Sequence, residues 1–560
     1  MQYKNIDIKD IKKIRVTWYG TTFFYKFLPK SIVKKIKFYY LRKIFLTTKG
    51  YKFFNNPSQS DLYYRIIEDL DDCNFKIESN KFSKIIFGEN IINHEKILKQ
   101  IILKFILNQS RSHLNISRSI LFSKQTNNKL IYPLHHVFSH ILEKNNIQIN
   151  KNLSFIYWYF IIIFFYLIGI LKILKILLNF FKSPKYNFKD SVYFANLPKE
   201  TLDVDKNIQT KENFFTFILD YHKQKNLKLK TIYHSINKYN NLNFNDFNIS
   251  YSNIYNDSLN FFEKINFVVW SIKAILLSFI DIFRGRWWHA FLLSEAAERQ
   301  IVSNTSFKKL HKIYLFNQVS GYIFRPLWTY EAEKKGSEIV FYFYSLNYSP
   351  ITQKQRRPPA IKTSSWNQYI VWNKQHEQYL KTVCKINFEV FYISPVFLIT
   401  GMKDFIPPEE NFITVFDIPP FRTVYQKSIL SGSNLYNVDN CINFIQNIIE
   451  ISSKNNLKVI LKIKRLNSVI HSKYLVYLKN EVLKGNLLIL HDSISTISLI
   501  KNSRLIISYP VTTTNKLADL YNIKNYYYLP TKDKLAKHIL ADSKILYQKK
   551  ELANIFKDAF

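Results

Sequence analysis

Two long apolar stretches stand out in the hydrophobic pattern of the chain. Residues 155–171 contain no charged side chain, and Lys172, Lys175 and Lys182 follow amid further Ile and Leu. A helix of residues 155–171 is about 25 Å long, against a bilayer hydrocarbon core of about 30 Å. The pattern predicts a membrane-associating apolar helix. Three placements stay open: in the membrane interface, across the bilayer, or inside a protein core.

The second apolar stretch covers residues 265–283 and is followed by Arg284, Arg286, Trp287 and Trp288. Paired tryptophans beside arginines are typical of a helix at a lipid interface. A helix packed inside an α/β core is the alternative. Residues 1–150 show mostly helical patterns with basic faces and no chemical motif, so they predict a helical N-terminal extension.

From about residue 189 the pattern changes to short β-rich runs that alternate with helical stretches. The runs are residues 191–194, 229–234, 312–316, 338–344, 369–372 and 388–393. After Pro407 and Pro408 the alternation restarts, with strands predicted at residues 412–418, 457–463, 487–491, 504–508 and 525–529. Such alternation predicts parallel sheets with crossover helices.

The fold class that follows is α/β, with two doubly wound Rossmann-type domains arranged as in GT-B proteins. We predict a basic helical region at 1–150 and a membrane-associating segment at 151–184. An acceptor domain at 185–405 and a donor domain at 406–560 complete the chain. In such sheets the ligand lies at the carboxyl ends of the strands.

The net charge of the chain indicates which classes of partner it could bind. Lysine and arginine number 80 against 41 acidic residues, which gives a net charge of +39. Much of this excess reflects a composition rich in Lys, Asn and Ile. No zinc finger, RNP-type strand or Gly-Xaa-Xaa-Gly clamp accompanies it, so we predict no nucleic-acid binding. An anionic membrane surface or a phosphate fits better.

Three cysteines and few glycines exclude other classes of protein. Cys73, Cys384 and Cys441 are scattered, which predicts neither a zinc site nor a disulfide framework. The first residues lack the apolar region of a secretory signal, so a cytoplasmic location is expected. Neither GxGxxG nor GxxxxGK[ST] occurs, which argues against a dinucleotide-dependent dehydrogenase and a P-loop enzyme.

Hydroxyl groups cluster after one predicted strand of the second domain. The strand ends at Ser508, Pro510 turns the chain, and Thr512, Thr513 and Thr514 stand where the next helix begins. Hydroxyl and N–H groups at a helix start can hold a diphosphate, and a single capping threonine is the simpler alternative.

This turn resembles that of the bacterial polysaccharide-biosynthesis proteins named for a PFTS motif. The chain reads Pro510, Val511, Thr512, Thr513, so the proline and two hydroxyls are kept while Phe becomes Val and Ser becomes Thr. The resemblance extends over roughly residues 310–530. It implies a role in capsule or O-antigen-like surface glycan assembly, as a transferase, and it identifies no catalytic residue.

Basic residues stand at the end of another predicted strand of the second domain. Lys462 and Lys464 alternate to one face, and Arg465 adds a planar fork for phosphate. With the threonine turn they predict one diphosphate site, and a solvated basic edge is the alternative. His471 is a further candidate phosphate donor. Asp492 is a candidate for ribose hydroxyls, or else the cap of the helix at residue 495.

An inverting transferase needs a base for the acceptor hydroxyl. Glu331, near the start of a helix, is the first candidate, and His376 is the second. The macrodipole alone also favours acidic residues at a helix start. Cleft-lining candidates are Asn347, Tyr348 and Asp417. No acidic pair suited to a metal occurs in a strand-end loop, so neither a metal nor a cofactor is expected.

Together these features predict a glycosyltransferase that uses a nucleotide-sugar donor and a glycan or lipid-linked acceptor. It would act at the inner face of the cytoplasmic membrane, with a single transmembrane helix at about 155–175 possible. The alternatives are a non-catalytic membrane-bound polysaccharide-assembly protein and a CDP-polyol phosphotransferase of GT-B fold.

Overall fold

The structure is a computed structural model, and it describes the chain in segments. These are residues 69, 80–89, 129, 135–180, 188, 190–195, 197, 221, 223–225, 229–234, 242–244, 247–252, 259–317, 325–343, 365–384, 387–393, 403–420, 437–463, 470–491, 494–510, 512–531 and 545–559. The predicted helical extension at 1–150 therefore lies largely outside the described residues.

Eight strands form the first sheet. They are β1 (Ser191–Phe194), β2 (Thr231–His234), β3 (Leu242–Phe244), β4 (Phe247–Tyr251), β5 (Ile313–Asn317), β6 (Glu338–Tyr342), β7 (Gln368–Val371) and β8 (Glu389–Tyr392). Their order is β3-β4-β2-β1-β5-β6-β7-β8, and only the β3–β4 pair is antiparallel. The six predicted strands of this half are confirmed, whereas β3 and β4 were not predicted.

Six parallel strands form the second sheet. They are β9 (Phe412–Phe416), β10 (Lys458–Lys462), β11 (Leu487–Ile489), β12 (Leu505–Ser508), β13 (Lys524–Tyr528) and β14 (Ile545–Leu546). The order is β11-β10-β9-β12-β13-β14. The first strand is thus central, and the chain winds outward on both sides of it, as in a Rossmann sheet. The predicted strands are confirmed, and β14 adds a sixth.

Helices cover the sheets and complete the α/β architecture. They are α1 (Lys81–Phe87), α2 (His136–Lys144), α3 (Lys151–Asn179), α4 (Phe261–Phe283), α5 (Trp288–Phe291), α6 (Leu293–Asn304), α7 (Leu327–Lys334), α8 (Lys374–Val383), α9 (Val438–Lys454), α10 (Ser472–Leu483), α11 (Thr496–Lys501), α12 (Thr514–Leu520) and α13 (Lys549–Ala559). Polar caps define several starts. Asn260 and Glu263 form a capping box at α4, and Asn437 caps α9.

The two apolar stretches are the long helices α3 and α4. The two helices run antiparallel, as two contacts between them show. Phe180 at the end of α3 packs on Phe267 near the start of α4, and the Tyr166 hydroxyl donates to the Ile275 carbonyl oxygen at 3.1 Å. By length and composition both are apolar enough to cross a membrane, which is weak evidence for a span.

The aromatic residues after α4 correct one prediction. Trp287 is 1% exposed and Trp288 is 6% exposed. Trp287 packs edge-on against Trp158 of α3, with ring centroids 4.8 Å apart. The two indoles therefore belong to the core beneath the apolar helices. They do not face lipid headgroups, because Trp287 packs on α3 and Trp288 is buried in the same core.

The segment before β9 is attached to the second half. The Ser495 N–H donates to the Lys403 carbonyl oxygen at 2.7 Å, and the Phe405 N–H donates to the Ser498 hydroxyl at 2.9 Å. Trp372, after β7, packs against the same apolar cluster as Phe405. Residues 403–405 thus join the second half ahead of the two prolines.

Candidate functional site

The central strand of the second sheet ends between two candidate site residues. Phe416 of β9 pairs with Lys462 of β10 on one side and with Ser508 of β12 on the other. The winding direction of the sheet reverses here, and the crevice at such a switch point is where doubly wound folds bind ligands. The carboxyl edge at β9 and β12 is therefore the candidate site.

Three hydroxyl groups lie in a chain at this switch point. The Thr514 hydroxyl donates to Thr512 Oγ1 at 3.0 Å and lies 3.2 Å from Ser508 Oγ. A hydroxyl group has one proton to donate, so Ser508 must be the donor to Thr514. Among the described residues no hydrogen bond uses the proton of Thr512, so it can be donated to a ligand acceptor such as a phosphate oxygen. Thr512 is 4% exposed, so its hydroxyl is held in a fixed environment.

The backbone around these hydroxyls is fixed by two further bonds. The Tyr527 hydroxyl of β13 donates to the Thr512 carbonyl oxygen at 2.5 Å, and the Tyr509 N–H donates to the Phe416 carbonyl oxygen at 2.8 Å. Thr513 occupies the cap position of α12, but its side chain makes no capping bond. Capping by that threonine therefore does not explain the hydroxyl cluster.

Lys462 lies on the same sheet face as Ser508, but its side chain is directed away from the hydroxyl cluster. Its side chain is 7% exposed, and its ammonium group donates to the carbonyl oxygens of His491 at 3.3 Å and Ile494 at 2.7 Å. These acceptors follow β11, which borders β10 on the side away from β9. The geometry departs from the expectation that Lys462 faces a diphosphate, because backbone carbonyls already bind its ammonium group.

Several predicted binding residues cannot be placed against this cluster. Lys464, Arg465 and Asp492 lie outside the described residues. The helix α11 is capped by Ser495, whose hydroxyl accepts from the Ser498 N–H at 3.2 Å, so capping does not require Asp492. His471 caps α10: its Nδ1 accepts from the Lys473 N–H at 3.2 Å.

Asp417 directly follows β9 and is almost fully buried. The Tyr474 hydroxyl of α10 donates to its carboxylate. Burial raises the pKa of Tyr474 well above its ordinary value, and the Asp417 charge adds to this. Burial, with the same carboxylate, also raises the pKa of Cys441. No sequence pattern pointed to Tyr474, since the pair forms only when α10 packs on the sheet.

In the first half, Glu331 lies in the second turn of α7 and is 4% exposed. Arg299 of α6 donates to its Oε1 through Nε at 3.0 Å and Nη2 at 2.7 Å. A carboxylate held by a buried guanidinium stabilises the α6–α7 contact. This contact favours a structural role for Glu331 over general-base catalysis.

His376, the second candidate base, is fully buried. Its ring centroid lies 4.5 Å from that of Phe343, and burial lowers its pKa to about 3. So weak a base is poorly matched to taking a proton near neutral pH. Asn347 and Tyr348 lie outside the described residues.

The carboxyl edge of the first sheet carries a polar pair that sequence reasoning missed. Asn317, at the end of β5, donates through Nδ2 to the hydroxyl of Tyr342, at the end of β6, at 2.6 Å. Both residues are fully buried. The signal for this pair in the sequence is an asparagine at the end of an apolar run.

Comparison with known proteins places the chain among polysaccharide-biosynthesis proteins. The family model described as "Polysaccharide biosynthesis PFTS motif protein" matches residues 270–556, about half of the chain. No curated protein matches the sequence.

Among solved structures, the chain is similar to the glycotransferase of kitacinnamycin, at 8% identity and a TM-score of 0.32, covering 67% of this chain and 91% of that one. It is also similar to the wall teichoic acid polymerase TagF, at 8% identity and a TM-score of 0.34, covering 70% and 89% respectively. A third is the UDP-GlcNAc 2-epimerase of Methanocaldococcus jannaschii, at 12% identity and a TM-score of 0.31, covering 66% and 92%.

Proposed function

The chain belongs to the polysaccharide biosynthesis PFTS motif protein family, and we propose that it is a glycosyltransferase. It would transfer a sugar from a nucleotide-sugar donor to a growing surface polysaccharide of the capsule or O-antigen kind. One observation carries this proposal most directly. The second sheet has Rossmann strand order, and its switch point holds the chain of hydroxyls from Ser508 to Thr512.

We propose that the donor diphosphate binds at this carboxyl edge. Thr512 would donate to a phosphate oxygen, with Ser508, Thr513 and Thr514 supporting it. Arg465 and Lys464 follow β10, which lies two strands from β12, and would supply cations to the diphosphate. Lys462 is left out of this site because its ammonium group is bound to carbonyl oxygens. His471 and Asp492 remain candidates at the same edge, for phosphate and ribose.

The proposed reaction replaces one C–O bond at the anomeric carbon by another and moves one proton. The acceptor hydroxyl oxygen attacks the anomeric carbon of the donor sugar. The bond from that carbon to the diphosphate oxygen breaks, and the nucleotide leaves with its electrons. The proton of the acceptor passes to a base. The hydroxyl donors and the Arg465 guanidinium would stabilise the charge that builds on the diphosphate.

We further propose that the acceptor is a lipid-linked glycan and that the enzyme works at the inner face of the cytoplasmic membrane. Two apolar helices and the net charge of +39 support this location. Asn347, Tyr348 and Asp417 remain candidates for residues that line the cleft. The contacts of Glu331 and His376 leave the base unassigned.

A nucleotide screen tests the donor site. Purified full-length protein is heated with UDP, GDP, CMP or CDP, and one nucleotide should raise the unfolding temperature, because a ligand that binds only the folded state stabilises it. A response to CDP alone would favour a CDP-polyol phosphotransferase. No response to any nucleotide would favour a non-catalytic assembly protein.

Variants localise the site. Thr512→Val removes the free hydroxyl proton, and Arg465→Ala removes a charged donor, so the latter should weaken diphosphate binding about tenfold or more. Thr414→Val is the matched control. It deletes another buried hydroxyl bond of the same sheet, to Ser503 at 2.6 Å, away from the carboxyl edge. Unchanged diphosphate affinity in Thr512→Val combined with Arg465→Ala would exclude this site.

A further inference from the structure

The outward faces of α3 and α4 expose a continuous apolar surface. On α3, Phe160 is 63% exposed and Leu171 is 65% exposed; on α4, Ile272 and Leu276 are both 57% exposed. Further exposed members are Leu153, Phe155, Ile156, Ile163, Leu167, Leu174, Leu178, Ile265, Val268, Val269, Phe279, Ile280 and Phe283. Soluble proteins rarely expose so large an apolar patch without a partner. We call this surface the α3–α4 face.

The opposite side of each helix is packed on the protein. The buried residues of α3 follow a spacing of three or four: Ser154, Trp158, Ile162, Tyr166, Gly169, Ile173 and Ile176. Those of α4 extend from Phe267 to Ile282. A Cβ added at Gly169 would lie 2.7 Å from Leu293 Cβ, so α3 lies directly against α6. Neither helix is separate from the α/β body.

The two helices are also joined to each other. The Lys264 ammonium group donates to the Phe180 carbonyl oxygen at 2.8 Å, and the Tyr166 and Phe279 rings are 6.1 Å apart. Their outward faces therefore form one surface rather than two.

The charges exposed on these helices have one sign. Lys175 and Lys273 are exposed, and Arg284 follows the end of α4. Lys151 is also exposed and pairs with Glu143 of α2 at 3.1 Å. The acidic residues of the two helices turn inward: Glu263 is partly buried, and Asp281 is fully buried. An apolar face whose exposed charges are all cationic is complementary to an anionic lipid surface. Lysine stems extend over apolar surface while the ammonium groups reach headgroups.

We propose that the α3–α4 face docks the enzyme in the plane of one leaflet of an anionic bilayer, without crossing it. Crossing would require α3 to leave its packing stripe, which runs from Ser154 to Ile176. Lying flat keeps that packing and buries only the outward face. This inference rests on the proposed membrane location and is independent of the donor site.

Vesicle flotation tests the docking surface with the full-length protein. The wild type should float with vesicles of phosphatidylglycerol and phosphatidylethanolamine, and less with phosphatidylcholine alone. Leu167→Asp with Ile272→Asp places a carboxylate on each outward face, and binding should fall about tenfold or more, because carboxylates are costly in hydrocarbon. Lys175→Glu with Lys273→Glu should weaken binding mainly at low salt.

Leu483→Asp is the matched control. Leu483 is 76% exposed, but it lies at the end of α10 in the second half. This variant should bind vesicles as the wild type does. Equal unfolding temperatures among the variants show that the fold is intact. Unchanged flotation of the Leu167→Asp, Ile272→Asp variant would overturn the proposal. The proposal would also be overturned if the wild type did not bind vesicles and instead formed a dimer that the Leu167→Asp, Ile272→Asp variant dissociates.

Depth along α3 separates lying flat from crossing. Nitroxide labels are attached to the variants Phe160→Cys, Leu167→Cys and Leu174→Cys, each in a Cys73→Ser background. Cys384 and Cys441 can stay, since both are buried. Collision with oxygen and with a nickel chelate then reports depth. Similar shallow depths at the three positions support the in-plane surface, whereas a progression through the bilayer centre contradicts it. A nucleotide thermal shift without vesicles is read separately, so loss of either property does not imply loss of the other.

Discussion

Nδ1 of His289 lies 2.6 Å from Oδ2 of Asp281, and its Nε2 lies 2.7 Å from the Ser83 hydroxyl. All three side chains are buried in the core that carries the apolar helices. Burial lowers the pKa of His289, an effect that the Asp281 carboxylate opposes. The ring is best satisfied as the Nδ1–H tautomer, donating to Asp281 and accepting from Ser83. This relay links α4, α5 and α1.

Removal of Asp281 should therefore destabilise the first half. Asp281→Ala leaves a buried N–H without an acceptor, which costs on the order of 1–3 kcal/mol. Ser83→Ala removes one hydrogen bond and should cost about 1 kcal/mol. Urea unfolding followed by near-UV circular dichroism measures both. A larger loss from Ser83→Ala than from Asp281→Ala would contradict the assigned tautomer.

The Arg299–Glu331 pair makes a prediction that separates structure from catalysis. Glu331→Ala strands a guanidinium that is 5% exposed and should cost about 3–5 kcal/mol of stability. With Arg299→Met as the second change, the combined loss should be smaller than the sum of the two single losses. A catalytic Glu331 would instead lose turnover while the protein kept its unfolding temperature, and Arg299→Met would not compensate.

His311 should contribute to acid destabilisation. The Ser191 hydroxyl donates to the Phe188 carbonyl oxygen at 2.7 Å, so His311 Nδ1–H, 2.8 Å away, must donate to Ser191. Burial lowers the pKa of His311 to about 3, from an ordinary value of 6.5. Between these values the unfolded chain binds a proton that the folded chain does not. Stability is therefore fully present above about pH 6.5 and falls as the pH drops.

The expected loss from His311 is about 2 kcal/mol between about pH 6.5 and about pH 5. His311→Asn keeps a donor for Ser191 but cannot titrate. The variant should start less stable and then lose less stability over this pH interval. Parallel pH profiles of wild type and variant would show that His311 is protonated in the folded protein.

Gly169 should be intolerant of a methyl group. A Cβ at this position would lie 2.7 Å from Cβ and 2.8 Å from Cγ of Leu293, neither of which is the free end of a flexible chain. Gly169→Ala should cost about 1–3 kcal/mol through overpacking. Leu171→Ala, on the outward face of the same helix, is the control and should change stability little. If Gly169→Ala is as stable as the wild type, α3 and α6 are further apart than described.

The apolar periodicity was enough to predict both sheets. Parallel strands covered by helices on both faces are buried at nearly every position, as β5 and β9 are, so they appear as unbroken apolar runs. The strands β3 and β14 lacked this signal, because they are edge strands of three and two residues. The strand β4 is interior, but its polar Asn248 and Ser250 break the apolar run. The long apolar stretches likewise predicted that α3 and α4 are helices.

The sequence alone determined the α/β class, the two parallel sheets, the apolar helices and the hydroxyl-rich turn after β12, because these depend on neighbours along the chain. The tertiary structure decided which candidate side chains already have a partner within the protein. The Lys462 ammonium group meets carbonyl oxygens that follow β11, Glu331 meets Arg299, and Trp287 packs on Trp158. Each of these partners is distant in sequence. Burial and partner identity are set by packing between elements, which local pattern does not encode.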